Sequence, residues 1–405
     1  MKILVVTQYF WPENFKVNDL CDALIERGHE VTVYTGMPNY PIGEYFPGYS
    51  IKGPYHENLG EIKIIRVPHI LRGKNKSLQL LLNYFSFFFN ASLLAPFLVR
   101  GKFDKIFVFE PSPITVVIPA IVLRFIKRAP IFFWVQDLWP ESLEATGIVK
   151  NKGILNLVGQ FVRILYKFSD RILVTSKGFI PRVKALGATE EQIVYFPQWA
   201  ESLFQKKLNS DFEDKQIPVE GFKVMFAGNI GTSQDFETIV EAAKILKAHK
   251  NIFFLILGDG MMRSWAEEEV RKFDLSENFI FLGRKPLETM PDYYSQADVM
   301  LMSLTNTDLF SITVPAKLQG YLACGKPILA SMNGEGAELV LEAQAGVSVP
   351  AGEPQLLADA ILELSLKSRN ELIEMGENAK KFYLNNFDRE ALISLLEDKF
   401  KEVEI

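Results

Sequence analysis

Short apolar runs alternate with helix-period segments along almost the whole chain, and this alternation restricts the fold more than any other feature. Ile3–Thr7 reads as a strand. Asp19–Arg27 follows as a helix with Leu20, Ala23 and Leu24 on one face, stopped at Gly28, and Glu30–Thr35 is a second strand. The three make a βαβ unit, and strands that are apolar throughout imply a parallel sheet covered on both faces. Further strands are expected at Ile62–Val67, Lys105–Phe109, Ile131–Val135, Arg171–Val174 and Gln192–Tyr195. The polar stretch KKLNSDFEDKQIP, Lys206 to Pro218, then breaks the pattern and reads as a linker. Beyond it the alternation restarts, with strands at 222–227, 252–257, 279–282, 299–303, 327–330 and 347–349. Helices at 235–248, 261–273, 315–324 and 335–344 lie between them. A chain of 405 residues exceeds one comfortable core. The expectation is therefore an α/β protein of two doubly wound domains, 1–205 and 206–386, with ligands at the carboxyl ends of the strands. Near the end, Asp388 is placed to cap a helix carrying Leu392, Leu395, Leu396 and Phe400 on one face.

Composition removes several function classes. Hydrophobic residues at 48% and charged residues at 23% describe an ordinary globular protein. Lys+Arg 44 against Asp+Glu 49 gives a net charge of -5, which argues against nucleic acid as a partner. Cys21 and Cys324 lie far apart with no metal or disulfide spacing, and point to a reducing cytoplasm. The opening MKILVVTQYF is too short an apolar run for a signal peptide.

One segment stands outside the α/β pattern. Ser77 to Val99, SLQLLLNYFSFFFNASLLAPFLV, is nearly long enough to span a bilayer. Basic residues flank it on both sides (Arg72, Lys74 and Lys76 before, Arg100 and Lys102 after), so charge sets no orientation. Spanning would separate strands 62–67 and 105–109, which belong in one sheet. The expectation is a helix packed partly on its domain and partly against lipid headgroups, with Arg124, Lys127 and Arg128 extending a basic patch. The alternative is burial in the core or in a dimer.

Chemistry-bearing residues cluster where strands end. In FWVQDLWPES the strand stops at Val135, so Gln136 and Asp137 emerge at its carboxyl edge, and Glu141 follows one helical turn on. Asp137 can orient or deprotonate a hydroxyl, or simply cap the turn that follows. After the first strand, YFWPENFKVND puts Asn14, Phe15 and Lys16 before a helix N-terminus, and MPNYP, with Asn39, closes the second strand. In the second half, FAGNIGTSQDF sets Gly228, Asn229 and Gly231 between a strand and a helix, a phosphate-type turn without a cation. LGDGMM repeats the arrangement with Asp259 and Gly260, and Arg284 leaves the next strand in FLGRKP. In VPAKLQG, Pro315 opens a helix with Lys317 in its first turn. A cation there opposes the helix dipole, a placement that makes sense if Lys317 reaches an anion. Gly334-Glu335-Gly336 opens another helix in the same half. None of the histidines at 29, 56, 69 and 249 has a metal-site spacing, and neither a hydrolase nucleophile elbow nor a dinucleotide glycine fingerprint is present.

Taken together, YFWPE, MPNYP, QDLWPES, AGNIG and PAKLQGYLACGKPI resemble the GT-B glycosyltransferases of family four, retaining enzymes that use nucleotide sugars without a metal. More narrowly they resemble the subgroup that builds bacterial O-antigen and capsule repeat units, including N-acetylfucosaminyl transferases. The resemblance implies two Rossmann-like domains facing across a cleft, with the last helix, 387–405, crossing back to the first domain. It implies a nucleotide-sugar donor, such as a UDP-N-acetyl-deoxysugar, held by the C-terminal domain. It also implies a polyprenyl-diphosphate-linked acceptor at the N-terminal domain, and an enzyme peripheral to the inner face of the cell membrane. Donor contacts then fall on Gly228, Asn229, Gly231, Asp259, Gly260, Arg284, Lys317 and Glu335. Acceptor contacts fall on Asn14, Lys16, Asn39 and Gln136, and catalytic roles on Asp137, Glu141 and Lys317. The sequence departs from the family at telling places. Asn229 and Gln234 stand where members carry a diphosphate-binding Arg and Lys. Ile312 and Gly320 stand where a pair of Glu is usual, and Gln136 where a His is common. These losses keep a GT-B sugar-nucleotide epimerase and a non-catalytic sugar-nucleotide scaffold open as other readings.

Overall fold

In the structure, a computed structural model, the apolar runs pair into two separate sheets. Residues 1–73, 77–145, 147, 149–206 and 212–403 are described. Lys74, Lys76 and the middle of the expected linker, 207–211, lie outside them. The chain divides into two compact units. One holds residues 1–197 together with the C-terminal stretch from Glu390, and the other holds Gln198–Arg389.

The first unit is built on eight strands: β1 Lys2–Val6, β2 Glu30–Gly36, β3 His56–Leu59, β4 Ile62–Val67, β5 Lys105–Glu110, β6 Ile131–Val135, β7 Arg171–Val174 and β8 Ile193–Tyr195. Their order across the sheet is β3-β4-β2-β1-β5-β6-β7-β8. All neighbours are parallel except β3, which pairs antiparallel with β4. The sequence reading had no β3, because HENL at a sheet edge alternates exposed and half-buried and carries no apolar signal. Ile3 to Val6 and Ile131 to Val135 are entirely buried, as strands covered on both faces must be. Each such side chain contributes about 1.5–3 kcal/mol of transfer free energy.

Helices of this unit are α1 Lys16–Glu26, α2 Ser77–Leu98, α3 Val117–Lys127, α4 Glu141–Ala145, α5 Lys152–Lys167 and α6 Phe179–Ala185. Helix α1 begins three residues before the expected Asp19, because Phe15 in extended conformation already serves as its N-cap. The strand expected from Gln192 starts at Ile193, since Glu190–Gln192 form a tight turn boxed by Thr189. Because the crossovers β4–α2–β5, β5–α3–β6 and β6–α5–β7 all run in the same direction across the sheet, right-handedness places α2, α3 and α5 on one face.

The second unit comprises β9 Phe222–Ala227, β10 Ile252–Leu257, β11 Phe279–Gly283, β12 Val299–Ser303, β13 Ile328–Ser331 and β14 Gly346–Val349, all parallel, in the order β11-β10-β9-β12-β13-β14. Its helices are α7 Phe236–Ile245, α8 Arg263–Lys272, α9 Met290–Ser295, α10 Asp308–Ser311, α11 Ala316–Ala323, α12 Glu335–Glu342, α13 Pro354–Ser365 and α14 Arg369–Asn386. The two-residue period of β9 divides the core. Val224 and Phe226 pack with Ile239, Val240 and Leu357 on one face, while Met225 and Ala227 pack with Leu318, Tyr321 and Leu322 on the other.

Helix α15, Arg389–Lys401, closes the first unit on the α1 side. Arg27 donates to Glu397 at 2.9 Å and to Glu390 at 2.8 Å, His29 meets Glu397 at 2.8 Å, and Phe400 stands edge-on to Phe132 at 4.7 Å.

Candidate active site

In an open parallel sheet the loops diverge where the strand order reverses, and that gap is where a ligand fits. The second unit reverses between β9 and β12. The turn after β9 holds Gly228, Asn229 and Gly231, and the turn after β10 holds Gly258, Asp259 and Gly260. The two are laced together by backbone bonds, Ile230 N to Asp259 O at 2.9 Å and Met262 N to Ile230 O at 2.9 Å. A Cβ on Gly258, at φ +145°, would lie 1.8 Å from the Gly228 carbonyl oxygen, so no other residue fits that place. Gly228, at φ +136°, leaves room for something else: a Cβ there would lie 2.4 Å from Cε of Lys317. The space at Gly228 is thus taken up by Lys317, and that at Gly258 by the neighbouring turn.

Lys317 enters from the first turn of α11, and its Nζ stands 3.9 Å from the centre of the Phe226 ring. Burial pushes its amine down to about 7, from an ordinary value of 10.5. The amine has a ring beneath it and no carboxylate partner among the described residues, so it is ready for an anion. The N-terminus of α12 packs close by, since a Cβ on Gly336 would meet Pro315 Cδ at 3.1 Å. Glu335 opens α12 and is half-buried. Two helix N-termini and one ammonium therefore gather beside the β9 turn, an arrangement suited to a diphosphate.

The other expected donor residues are placed less uniformly. Asn229 is exposed at the tip of its turn. Gln234 folds back and accepts from Gly231 N at 3.2 Å, so it caps its own loop instead of standing in for a cation. Asp259 is exposed, accepts from Gly260 N at 2.8 Å and faces Arg263 at 3.8 Å. Arg284 is exposed just past β11, two strands away from β9, with no ion-pair partner among the described residues. The sequence reading did not include Ser303 and Ser331, paired at the carboxyl ends of β12 and β13. Their buried hydroxyls have no hydrogen-bond partner among the described residues. The signal was weak: a serine ending an apolar strand is common.

In the first unit the order reverses between β1 and β5. Here a buried carboxylate ties two loops together: Glu13 accepts from Phe10 N at 3.1 Å, Asn39 N at 2.7 Å and Tyr40 N at 2.7 Å. Burial pushes Glu13 up to about 7 against those three donors. Arg66, fully buried, donates to Gly36 O at 3.0 Å and Trp11 O at 2.5 Å, fixing the same loops from below. Asn39 corrects an expectation. It is fully buried, donates to Met37 O at 2.9 Å and accepts from Arg72 N at 2.9 Å, with its amide nitrogen 3.1 Å from His69 Nε2. Its polar atoms are spent on the loops and none is left for an acceptor. His69 lies in the loop just past β4 and is buried there as a strut; burial lowers its imidazole to about 4. Asn14 is exposed, and Lys16 starts α1 half-buried.

Beside these loops lies a cluster of acids. Glu110 ends β5 opposite Val135 and is fully buried, with neither carboxylate oxygen hydrogen-bonded among the described residues. Gln136 and Asp137 follow β6, and Gln136 N donates to Glu110 O at 3.3 Å. Burial, and then the Asp137 charge, push Glu110 well above the carboxylate range; burial lifts Asp137 to about 6. Buried Nε1 of Trp139, Oε2 of Glu141 and the Tyr166 hydroxyl also have no partner among the described residues. Glu110 was missed because the strand was ended one residue early, at Phe109. A charge at the carboxyl end of an otherwise apolar central strand was the available signal. Among the described residues no group of three or more His, Cys, Asp or Glu is placed to hold a metal.

Two doubly wound parallel sheets with polar groups at their carboxyl edges define a GT-B protein, and the chain is a glycosyltransferase of that fold. Residues 17–199 match Glycosyltransferase Family 4 and residues 209–382 match Glycosyl transferases group 1. Among similar proteins is WcaI of Escherichia coli, named for colanic acid biosynthesis, 24% identical over 80% of this chain and 82% of its own length. Another is the glycosyltransferase WbjE of Pseudomonas aeruginosa, 30% identical over 62% of this chain and 66% of its own. AmsK of Erwinia amylovora, named for amylovoran biosynthesis, is 28% identical over 50% of this chain and 49% of its own. Among solved structures, sucrose-phosphate synthase from Thermosynechococcus elongatus superposes with TM-score 0.77 at 16% identity over 99% of this chain and 98% of its own. Anabaena HepE in complex with UDP gives 0.69 at 14% identity, covering both chains fully at 100%.

Proposed function

We propose that this glycosyltransferase moves a sugar from a UDP-sugar to a polyprenyl-diphosphate-linked saccharide, with retention, in assembly of an O-antigen or capsule repeat. The observation that carries the reading is Lys317, set in the first turn of α11 against the Gly228 turn with a second helix N-terminus beside it. In this reading the diphosphate lies over those amides, and Lys317 neutralises the charge that grows as the sugar leaves. Asp137 orients or deprotonates the acceptor hydroxyl, with Glu110 and Glu141 beside it. Support comes from a structural neighbour in complex with UDP and from relatives named for colanic acid and amylovoran biosynthesis. An N-acetyl-deoxysugar donor, such as UDP-FucNAc, rests on the motif resemblance alone. The first unit is taken as the acceptor side, and no metal takes part.

The test is UDP release on adding lipid-linked acceptor to a panel of UDP-sugars. Release that requires acceptor supports transfer. Conversion of the sugar without acceptor would mean an epimerase. Tight donor binding with no turnover under any acceptor would mean a scaffold, the reading favoured by Asn229 and Gln234 standing where cations are usual.

A further inference from the structure

The first unit has an apolar surface that its own fold leaves uncovered. Helix α2 is 22 residues long and contains no charged residue. Asn83, Phe87, Ala91 and Ala95, four residues apart, are fully buried against the sheet. The opposite stripe is just as apolar: Leu78, Leu81, Phe85, Phe89, Leu93 and Phe97 are each between 56% and 69% exposed. Scattered apolar side chains on a surface need no explanation, but one continuous helical stripe does. The helix cannot span a bilayer, because it leaves β4 and enters β5, and both strands lie in one sheet.

The stripe continues across the same face of the sheet. On α3, Phe125 is 64% and Ile126 45% exposed, and on α5 Leu157 is 70% and Ile164 53% exposed. Phe125 meets Phe168, just past α5, edge-on at 5.7 Å, and Lys127 Nζ donates to Gly101 O at 3.1 Å just past α2. The three helices are therefore neighbours. Their charges are one-sided: α3 carries Arg124 and Lys127, α5 carries Lys152, Arg163 and Lys167, and none of the three contains an Asp or Glu. Exposed Arg100, Lys102 and Arg128 continue the basic rim at the ends of α2 and α3. Arg124 is held by Asp170 and contributes least. All this occurs in a chain whose net charge is -5, so acidic residues are concentrated elsewhere.

We propose that the α2–α3–α5 face docks in the plane of an anionic bilayer, its phenylalanines and leucines entering the acyl boundary while the basic rim meets lipid phosphates. Apolar side chains of this kind reach about 5–10 Å into the interface, and each rim cation adds ~1 kcal/mol near an anionic surface. A second copy of the chain would cover the apolar stripe, but it would bring its own positive rim against this one, since a two-fold contact sets like against like. The inference goes beyond the donor-site reading and does not depend on it.

The test is flotation of the full chain with phosphatidylcholine vesicles containing about one-third phosphatidylglycerol. Binding is expected at low salt, weakened about tenfold when the anionic lipid is left out or salt is raised to about 0.5 M. The exposed triple change Phe85→Ser, Phe89→Ser, Phe97→Ser should weaken binding by at least about tenfold, with an unchanged melting transition as the folding control. The reversal Arg128→Glu, Lys152→Glu, Arg163→Glu touches no apolar residue and should do the same at low salt. Either variant binding vesicles like the parent overturns the proposal. So does a parent that does not float, whether light scattering shows it as monomer or as a dimer dissolved by the phenylalanine changes. UDP binding by both variants should match the parent, which separates this face from the donor site.

Discussion

Lys317 holds its ammonium 3.9 Å above the ring of Phe226, in space that exists only because residue 228 is glycine. The relationship joins a helix N-terminus, a strand and a turn into one anion site. Placing a cation at the start of a helix costs stability, and burying it costs more, so the arrangement makes sense where an anion offsets both. The first expectation is kinetic. Lys317→Ala should lower kcat/KM by about 100-fold or more, whereas Asn229→Ala should cost about tenfold at most. Equal, mild losses in steady-state assays would remove Lys317 from its assigned role.

The same residue should govern a stability trend. Burial pushes its amine down to about 7 in the folded protein, from 10.5 ordinarily. Between those values the unfolded chain binds the extra proton, so stability rises with pH across that window and the full cost of charging remains below it. Lys317→Met should therefore melt higher than the parent near pH 7 in the absence of ligand, and the gap should narrow toward pH 10. Thermal melts across that range decide it; a variant that melts lower at pH 7 would contradict the burial argument.

Proton uptake on binding follows from the same sign. A diphosphate beside Lys317 raises its pKa, so UDP binding near pH 8.5 should take up about one proton. Calorimetry in buffers of different ionisation enthalpy reads this directly, and Lys317→Met should abolish the buffer dependence. Buffer-independent heats in the parent would place the diphosphate elsewhere.

For the acid cluster, kcat/KM should fall as pH drops through about 6, where Asp137 takes up a proton. Asp137→Asn should flatten that limb and cost about 100- to 10,000-fold. Burial, and then the Asp137 charge, push the Glu110 carboxyl well above the ordinary carboxylate range, which favours its neutral form. Glu110→Gln, which imitates the neutral acid, should keep most of the activity. A Glu110→Gln enzyme as inactive as Asp137→Asn would make Glu110 the base.

Glu13 should act on stability more than on chemistry. Removing its carboxylate leaves the amides of Phe10, Asn39 and Tyr40 without their acceptor. Glu13→Ala should cost about 3 kcal/mol in urea unfolding. A cost near zero would mean the loops are held by Arg66 alone.

Sequence by itself determined the architecture: hydrophobic periods of two and about 3.6 are local, and each buried strand announces itself through its own residues. Hence the strands and helices of two doubly wound sheets were legible one by one, while β3, a polar edge strand, was not. Gly228 and Lys317 were legible as a turn and a misplaced cation, some ninety residues apart. Only the tertiary structure brought them into contact, since the parallel sheet places the β9 turn beside the start of α11. Tertiary structure also decided what Asn39, His69 and Glu110 are. A side chain's chemistry follows from what surrounds it: Asn39 and His69 are enclosed by partners and became struts, whereas the Glu110 carboxylate oxygens are enclosed with no hydrogen-bond partner among the described residues, and Glu110 became a buried acid. Burial and partnership are sums over residues distant in the chain, and no local pattern encodes them.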